Sequence, residues 1–311
     1  MSRLLLIKTS IIAGMKIDDK ISIIIPCNAR PCLREAIDSI LANTTRRPWE
    51  LIVVGEWPPG DSPPADPRIR FLPTKGLGTG AMRNAAARAA TGSFLLFTDS
   101  DCVADLDWID AAAASVSATR PVAGGGIRFP EHNAWDLGDN LAIFSRMHVT
   151  RPAGPAGPLL GTNNLAIRRD VFEAVGGFRD DLTVGEDWEF LQRVQAAGYP
   201  LFFDPRFAVR HNSGRNSAAK VRQHAEWYGR GYVDLMARGV APKSAWRADR
   251  LISALPGGIA IWSALKATTR TAALYLGHPP FWRYLRALPA AWYFAFCRRR
   301  AISKTLAARS R

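Results

Sequence analysis

The sequence predicts a mixed, mostly parallel α/β sheet with helices on both faces, followed by a basic helical tail. Two observations predict the sheet. Between Ile21 and Phe97 short β-branched apolar runs alternate with segments of helical periodicity, and such alternation favours parallel strands joined by crossover helices. At 311 residues and 48% hydrophobic content the chain is also large enough for one sizeable core with an appendage. The tail is read from charge. Residues 1–204 hold 21 Lys+Arg against 24 Asp+Glu, whereas 205–311 hold 20 against 3, so the whole excess of +14 lies in the last third. A basic tail on a slightly acidic body suits an anionic partner, either a membrane surface or a nucleic acid.

Element by element, Ile21 to Ile25 reads as a strand buried on both faces and closed by Pro26. Leu33, Ala36, Ile37, Ile40 and Leu41 recur at helical spacing. Leu51 to Val54 is the second strand, followed by a Pro/Gly-rich loop to Pro67; Ile69 to Leu72 is a short third strand, Ala81 to Ala90 a helix, and Phe94 to Phe97 a fourth strand. A helix is expected from Asp107 to Ala118, and Thr119 to Pro158, rich in Gly and Pro, reads as loop with short elements. Asp170 is a plausible N-cap for a helix closed by Gly176 and Gly177, and Glu186 to Ala197 is a helix ended by Gly198. Leu201 to Phe203 and Phe207 to Arg210 read as two strands. The four cysteines form neither metal spacing nor a disulfide framework, so a reducing cytosolic compartment is the default. The apolar start is too short for a signal segment, with Met15 a possible true start.

The fourth strand carries the sharpest chemical signal. It ends in Asp99-Ser100-Asp101, and residues i and i+2 of a strand share a face. Two carboxylates so placed suit Mg²⁺ or Mn²⁺ and phosphate oxygens, although the same pattern also occurs as a solvated strand-end turn. Pro26, Gly55-Glu56 and Asp99 to Asp101 all follow apolar runs, and ligands of open parallel sheets gather at such carboxyl ends.

Taken together, Ile21 to Pro26, Leu51 to Val54, Gly80 to Asn84, Phe97 to Asp101, Gly161 to Arg169, Gly176 to Phe178, Gly185 to Asp187 and Val209 to His211 resemble, in order and spacing, family 2 glycosyltransferases of the GT-A fold. The resemblance covers roughly residues 20–215. It implies a nucleotide-sugar donor with UDP-sugar favoured, Mg²⁺ or Mn²⁺, and inversion at the anomeric carbon. It further implies Asp101 as first metal ligand, Asp99 on the donor or metal shell, and His211 as a late metal or diphosphate ligand. Asp187 becomes the base, with Glu186 its neighbour. Arg83 and Asn84 would face the diphosphate, Ser100 and Pro26 with Arg30 the nucleotide, and Asn163 and Asn164 the donor sugar or acceptor. Each has a plain alternative: Arg83 as a surface arginine, His211 as a packed histidine, the asparagines as turn residues. Where the family shows paired aspartates after the second strand, one of which reads the base, this chain has Gly55-Glu56; after the first strand the turn is shortened to Cys27-Asn28-Ala29-Arg30. Gln223-His-Ala-Glu226-Trp227 lacks the arginine of processive synthases, which favours a single addition.

The implied organisation is an N-terminal extension (1–19), a transferase domain (20–215) and a helical basic region (216–311). Neither Leu251 to Leu265 nor Leu288 to Cys297 reaches the ~20 uninterrupted apolar residues of a membrane span. With Trp262, Tyr275, Trp282, Tyr284, Trp292 and Tyr293 among arginines, residues 245–300 read as interfacial helices on anionic headgroups at the cytoplasmic face of the cell membrane. No nucleic-acid motif accompanies the charge. The acceptor is then a lipid-linked or cell-surface glycan. Two other functions compete: a nicotinamide-dependent oxidoreductase using Gly76-x-Gly78-x-x-Ala81, and an inactive transferase-like scaffold at a membrane.

Overall fold

A computed structural model describes residues 19–241, 255 and 257–309. Residues 1–18, with Met15, and the start of the first tail segment (251–254 and Pro256) lie outside the described residues. The described chain divides into two compact units: one of residues up to Arg128 with Arg146–Asn212, the other of Phe129–Ser145 with the described part of Ser213–Arg311.

The first unit holds the whole sheet. Its strands are β1 (Ile21–Asn28), β2 (Trp49–Glu56), β3 (Ile69–Pro73), β4 (Phe94–Thr98), β5 (Cys102–Ala104), β6 (Val122–Arg128), β7 (Gly154–Ala156), β8 (Asn164–Arg168) and β9 (Leu201–His211). They run in the order β3-β2-β1-β4-β8-β6-β9-β5, with β7 also on β9. The first four are mutually parallel, β8 runs antiparallel to β4 and β6, β9 is parallel to β6, and β5 is antiparallel to β9. Its helices are α1 (Leu33–Leu41), α2 (Thr79–Ala89), α3 (Trp108–Ser115), α5 (Arg169–Val175) and α6 (Glu186–Ala196); α4 (Ala134–Phe144) belongs to the second unit. Strands β1 and β2 are buried along their length until Asn28 and Glu56, which pair in register as the first exposed residues. That is why β1 and β2 read as continuous apolar runs. Strand β1 continues beyond Pro26, paired with β2 as far as Asn28, although its pairing with β4 stops at Ile24.

Several expectations are corrected. The segment from Thr119 to Pro158 is not mainly loop: it holds β6, α4 and β7. Its glycines mark close packing, since a Cβ at Gly125 would stand 2.2 Å from Asn164 Nδ2 and 2.4 Å from the Phe207 carbonyl. The two strands expected after Pro200 are one strand, β9, whose register against β6 shifts between Gly125 and Gly126. Asp170 is not the N-cap of α5 but lies in its first turn, bound by Arg168. Gly176 does close α5, at φ 84°.

The second unit packs α4 with α7 (Ala218–Ala237), α8 (Gly258–Leu276) and α9 (Leu288–Ala308), with a 3₁₀ segment at Pro279–Ala287. Phe294, Cys297, Val221, Ala225 and Ala142 form its core. Helix α9 runs straight through Arg298 to Arg300 instead of ending there, and burial lowers the Arg298 guanidinium from its ordinary range. Tyr275 and Tyr284, expected at an interface, are buried. Among the described residues no helix is long and apolar enough to cross a membrane.

Candidate active site

The carboxyl end of β4 delivers Asp99, Ser100 and Asp101 into the first unit, and the N-terminus of α6 delivers Glu186 and Asp187. Arg83, on α2 and 2% exposed, ties the two together: Nη1 donates to Glu186 Oε1 at 2.9 Å and Nη2 to Asp99 Oδ1 at 2.7 Å. A guanidinium holds two carboxylates at fixed separation because its donors are coplanar and permanently charged. Both terminal nitrogens of Arg83 thus donate to carboxylates, while Nε is without a partner.

Asp187 follows Glu186 in the first turn of α6, where Gly185, at φ 74°, is the N-cap and offers no side chain. Its Oδ1 accepts from the Trp188 amide at 2.7 Å. Burial, and then the neighbouring Glu186 charge, push the Asp187 carboxyl up to about 7, against the pull of Arg83. A carboxylate with that affinity for protons is matched to proton transfer near neutral pH.

A second cluster lies where β5 meets β9. Cys102 and His211 are direct partners in that antiparallel pair, and the Asp101 carbonyl accepts from the Asn212 amide at 2.8 Å. His211 Nε2 stands 3.5 Å from Asp101 Oδ1, with Cys102 Sγ in the same group. Carboxylate oxygen and imidazole nitrogen are a fitting donor pair for Mn²⁺ or Mg²⁺. Cys102 fits less well, because burial pushes its thiol well above the usual range and hard cations prefer oxygen. Nothing in the sequence flagged Cys102 or the strand it opens, since its place beside His211 arises from pairing across 109 residues.

Two expected ligand-binding residues are structural instead. Asn84 donates to the Phe178 carbonyl and to Asp180 while its Oδ1 accepts from the Phe178 amide, so it clamps the turn after α5 and has no group left for a donor. Asn164, fully buried, donates to the Gly126 and Phe207 carbonyls and accepts from Trp108 Nε1; it is a sheet cross-brace. Its neighbour Asn163 differs. It is 3% exposed and neither side-chain polar atom has a partner, a costly state for a buried amide that a polar ligand relieves.

On the nucleotide side, Pro26 is buried in β1, Ser100 is buried within hydrogen-bonding reach of the Cys27 thiol, and Arg30 and Glu56 are exposed. The Glu56 carbonyl accepts from the Ala29 amide at 2.8 Å. Ala29 has φ 50°, the one non-glycine positive φ among the described residues, and such backbone strain concentrates at ligand sites. Gly55 has φ 127°, and a Cβ there would stand 2.0 Å from the Cys27 carbonyl oxygen. The departure from the paired aspartates is thus built into the backbone. Gly76 and Gly78 follow β3, an edge strand, whereas a dinucleotide fingerprint follows the first, central strand; the oxidoreductase reading fails on topology.

The profile described as "Glycosyltransferase like family 2" matches residues 19–230. The chain belongs to glycosyltransferase family 2. Among relatives of this family 2 chain, Glycosyltransferase AglE of Haloferax volcanii is 30% identical over 127 residues, 40% of this chain and 41% of that one. The O-antigen biosynthesis protein RfbC of Myxococcus xanthus is 29% identical over 244 residues, 67% of this chain but 18% of that one. The chain thus spans less than half the length of either relative. Among solved structures, the mannosyltransferase PcManGT of Pyrobaculum calidifontis, in complex with GDP-Man and Mn²⁺, aligns with a TM-score of 0.57 at 18% identity, covering 94% of this chain and 93% of that one. That likeness establishes the GT-A fold for this family 2 member.

Proposed function

We propose that this glycosyltransferase moves a single sugar from a nucleoside-diphosphate donor to a lipid-linked or cell-surface glycan, with inversion at the anomeric carbon. The observation that carries the proposal is the Asp187 carboxyl, raised to about 7 beside Glu186, which Arg83 fastens to the Asp99 strand end. In this reading Asp187 takes the proton of the acceptor hydroxyl as that oxygen attacks the anomeric carbon. Glu186 keeps Asp187 proton-hungry, and Arg83 keeps Glu186 and Asp99 in place.

Asp101 and His211 would hold a divalent cation, with Asp99 on its donor side; such an ion stabilises the negative charge that gathers on a departing nucleoside diphosphate. The Mn²⁺ in the PcManGT complex supports this choice of ion. The free amide of Asn163 offers two donors and an acceptor to sugar hydroxyls. The glycan acceptor is supported by the name of the Myxococcus relative, an O-antigen biosynthesis protein.

The test is a mass-spectrometric screen of UDP- and GDP-sugars for nucleoside-diphosphate release and sugar transfer, with and without Mn²⁺ or Mg²⁺, beside Asp101→Ala and Asp187→Asn. Metal-dependent turnover abolished by both variants is the expected result. Full turnover in EDTA removes the metal from the reading, full turnover by Asp187→Asn removes the base, and no turnover or nucleotide binding with any donor returns the chain to a transferase-like scaffold.

A further inference from the structure

The second unit ends in a surface that the sugar-transfer chemistry does not use. The 3₁₀ segment Pro279–Ala287 is kinked at Tyr284 (φ −101°, ψ 20°), yet burial recurs at every third residue on both sides of the kink and sorts the side chains into rows. Phe281, Tyr284 and Ala287 form the buried row, each 2% exposed or less. Trp282, Leu285 and Leu288 form a second row that is 54%, 58% and 40% exposed. Arg283 and Arg286 form the third, both reaching Glu131, two guanidiniums on one acidic residue.

Helix α8 repeats the arrangement with its own period. It buries Ser263, Ala267, Thr271 and Tyr275, while Ile261, Leu265 and Leu276 are 72%, 53% and 71% exposed. At 100° per residue those three fall within about 60° of each other, a single stripe along the helix. The Trp282 indole donates to the Tyr275 carbonyl at 2.9 Å. That bond anchors the exposed ring at the end of the helix that carries Leu276. It also satisfies the one polar atom of the indole, so the ring can enter an apolar phase without losing a hydrogen bond.

Single exposed apolar residues are ordinary, but two sets of them on touching elements, joined by the Trp282–Tyr275 bond, are not. The charge around them selects the occupant. After Asp249 the sequence contains no acidic residue, while residues 250–311 contain 11 Lys+Arg. Glu131 answers the two arginines beside the row, but the balance of this stretch stays strongly basic and suits a partner that is apolar at the contact and negative around it.

We propose that the Trp282-Leu285-Leu288 row and the Ile261-Leu265-Leu276 stripe form a peripheral docking face for an anionic lipid bilayer, seated at the headgroup boundary rather than spanning the membrane. Aliphatic and indole side chains enter the acyl boundary, and the basic residues meet lipid phosphates. The cytoplasmic leaflet of a cell membrane supplies that combination. The proposal keeps Trp282 from the interfacial aromatics expected from sequence, replaces the buried Tyr275 and Tyr284 with aliphatic anchors, and stands independently of the transfer reaction.

The test is co-sedimentation of the full chain with vesicles of phosphatidylcholine alone or with about one third phosphatidylglycerol, at low and high salt. Binding to the anionic vesicles, weakened by salt, is expected. Trp282→Ser with Leu285→Ser, and separately Ile261→Ser with Leu265→Ser, should each lower partitioning about tenfold or more. These positions are exposed, so unchanged melting temperature and nucleoside-diphosphate binding verify that the variants fold. Equal binding of wild type and variants overturns the proposal, as does absence of binding to either vesicle. Light scattering covers the competing occupant: a wild-type dimer that the variants dissolve, without vesicle binding, assigns the face to a second copy instead.

Discussion

Arg83 donates to Glu186 across 103 residues of sequence, at 2.9 Å and out of contact with water. With its second bond to Asp99 it makes the strand end of β4 and the first turn of α6 a single electrostatic object. Removing the guanidinium leaves Asp99, Glu186 and Asp187 without their shared cation. Loss of one partner from a buried ion pair costs on the order of 3–5 kcal/mol, so urea denaturation of Arg83→Met should show a loss of that size. The same variant removes the positive charge that, with the Trp188 amide, holds the Asp187 carboxyl down against burial and Glu186. Its pH–rate profile should therefore move to higher pH, a displacement that loss of stability by itself does not produce.

The Asp187 prediction follows from sign. A base works deprotonated, so kcat/KM should rise with pH through about 7 and level off above it. Stability moves the other way. The folded value lies above the ordinary 3.8, so the fold favours the protonated carboxyl, and that stabilisation is lost as pH rises through about 7. Asp187→Asn should lower the rate by about 10²–10⁴ and also flatten the loss of stability that the wild type shows as pH rises from about 4 to about 7. Rates and urea midpoints measured from pH 5 to pH 9 check both, and a steep rate profile surviving in Asp187→Asn would sink the assignment.

Glu50 tests the opposite end of the sheet with the opposite sign. Burial would raise its carboxyl, but the Thr91 amide and hydroxyl and the Ser22 hydroxyl outweigh it and hold the group at about 2. A folded value below the ordinary 4.5 means stabilisation that is complete above pH 4.5 and lost as pH falls toward 2. Glu50→Gln should be destabilised by about 2 kcal/mol at pH 7 and much less at pH 3. Chemical denaturation at the two pH values reads the difference, with transfer kinetics unchanged.

How much of this was legible beforehand depends on the range of the physics involved. The buried runs of β1, β2 and β4, the Gly176 cap of α5 and the acidic first turn of α6 are set by neighbours in sequence, and they stand where the pattern put them. The glycines of β6 misled because what they make room for is tertiary: Asn164 and the Phe207 carbonyl. The asparagines misled for a related reason. An amide beside a motif looks available until its partners are known, and Asn84 and Asn164 spend every group on backbone and side chains brought in from afar. Asn163, one residue away from Asn164, has none. Only the folded chain separates the brace from the available ligand group.

The Asp101–His211 pair and its sulfur neighbour make a discriminating set. If the cation is held by oxygen and imidazole, His211→Ala and Asp101→Ala should each weaken Mn²⁺-dependent nucleoside-diphosphate binding by about tenfold or more. Cys102→Ala should change it little. Calorimetric titration of each variant, with and without Mn²⁺, gives the comparison. A Cys102→Ala loss as large as that of His211→Ala would make the thiol a ligand and argue for a softer metal.

Gly55 is where the chain departs from the paired aspartates of its family, and its geometry makes the departure hard to reverse. With φ at 127° and the Cys27 carbonyl oxygen 2.0 Å from where a Cβ would stand, any side chain must push β1 and β2 apart. Gly55→Ala should cost about 3 kcal/mol or more, about 5 °C in melting temperature. Gly76→Ala is the control: φ is 72° and no atom lies within 4 Å, so strain without a clash should cost only about 1 kcal/mol. Gly55→Asp should then fail to restore a base-reading aspartate. Any carboxylate that reads the base from this strand end must come from Glu56, which is exposed and paired in register with Asn28. Glu56→Gln should leave the melting temperature unchanged while shifting the preference between UDP and GDP; an unchanged preference places base recognition on the strained backbone at Ala29 rather than on a side chain.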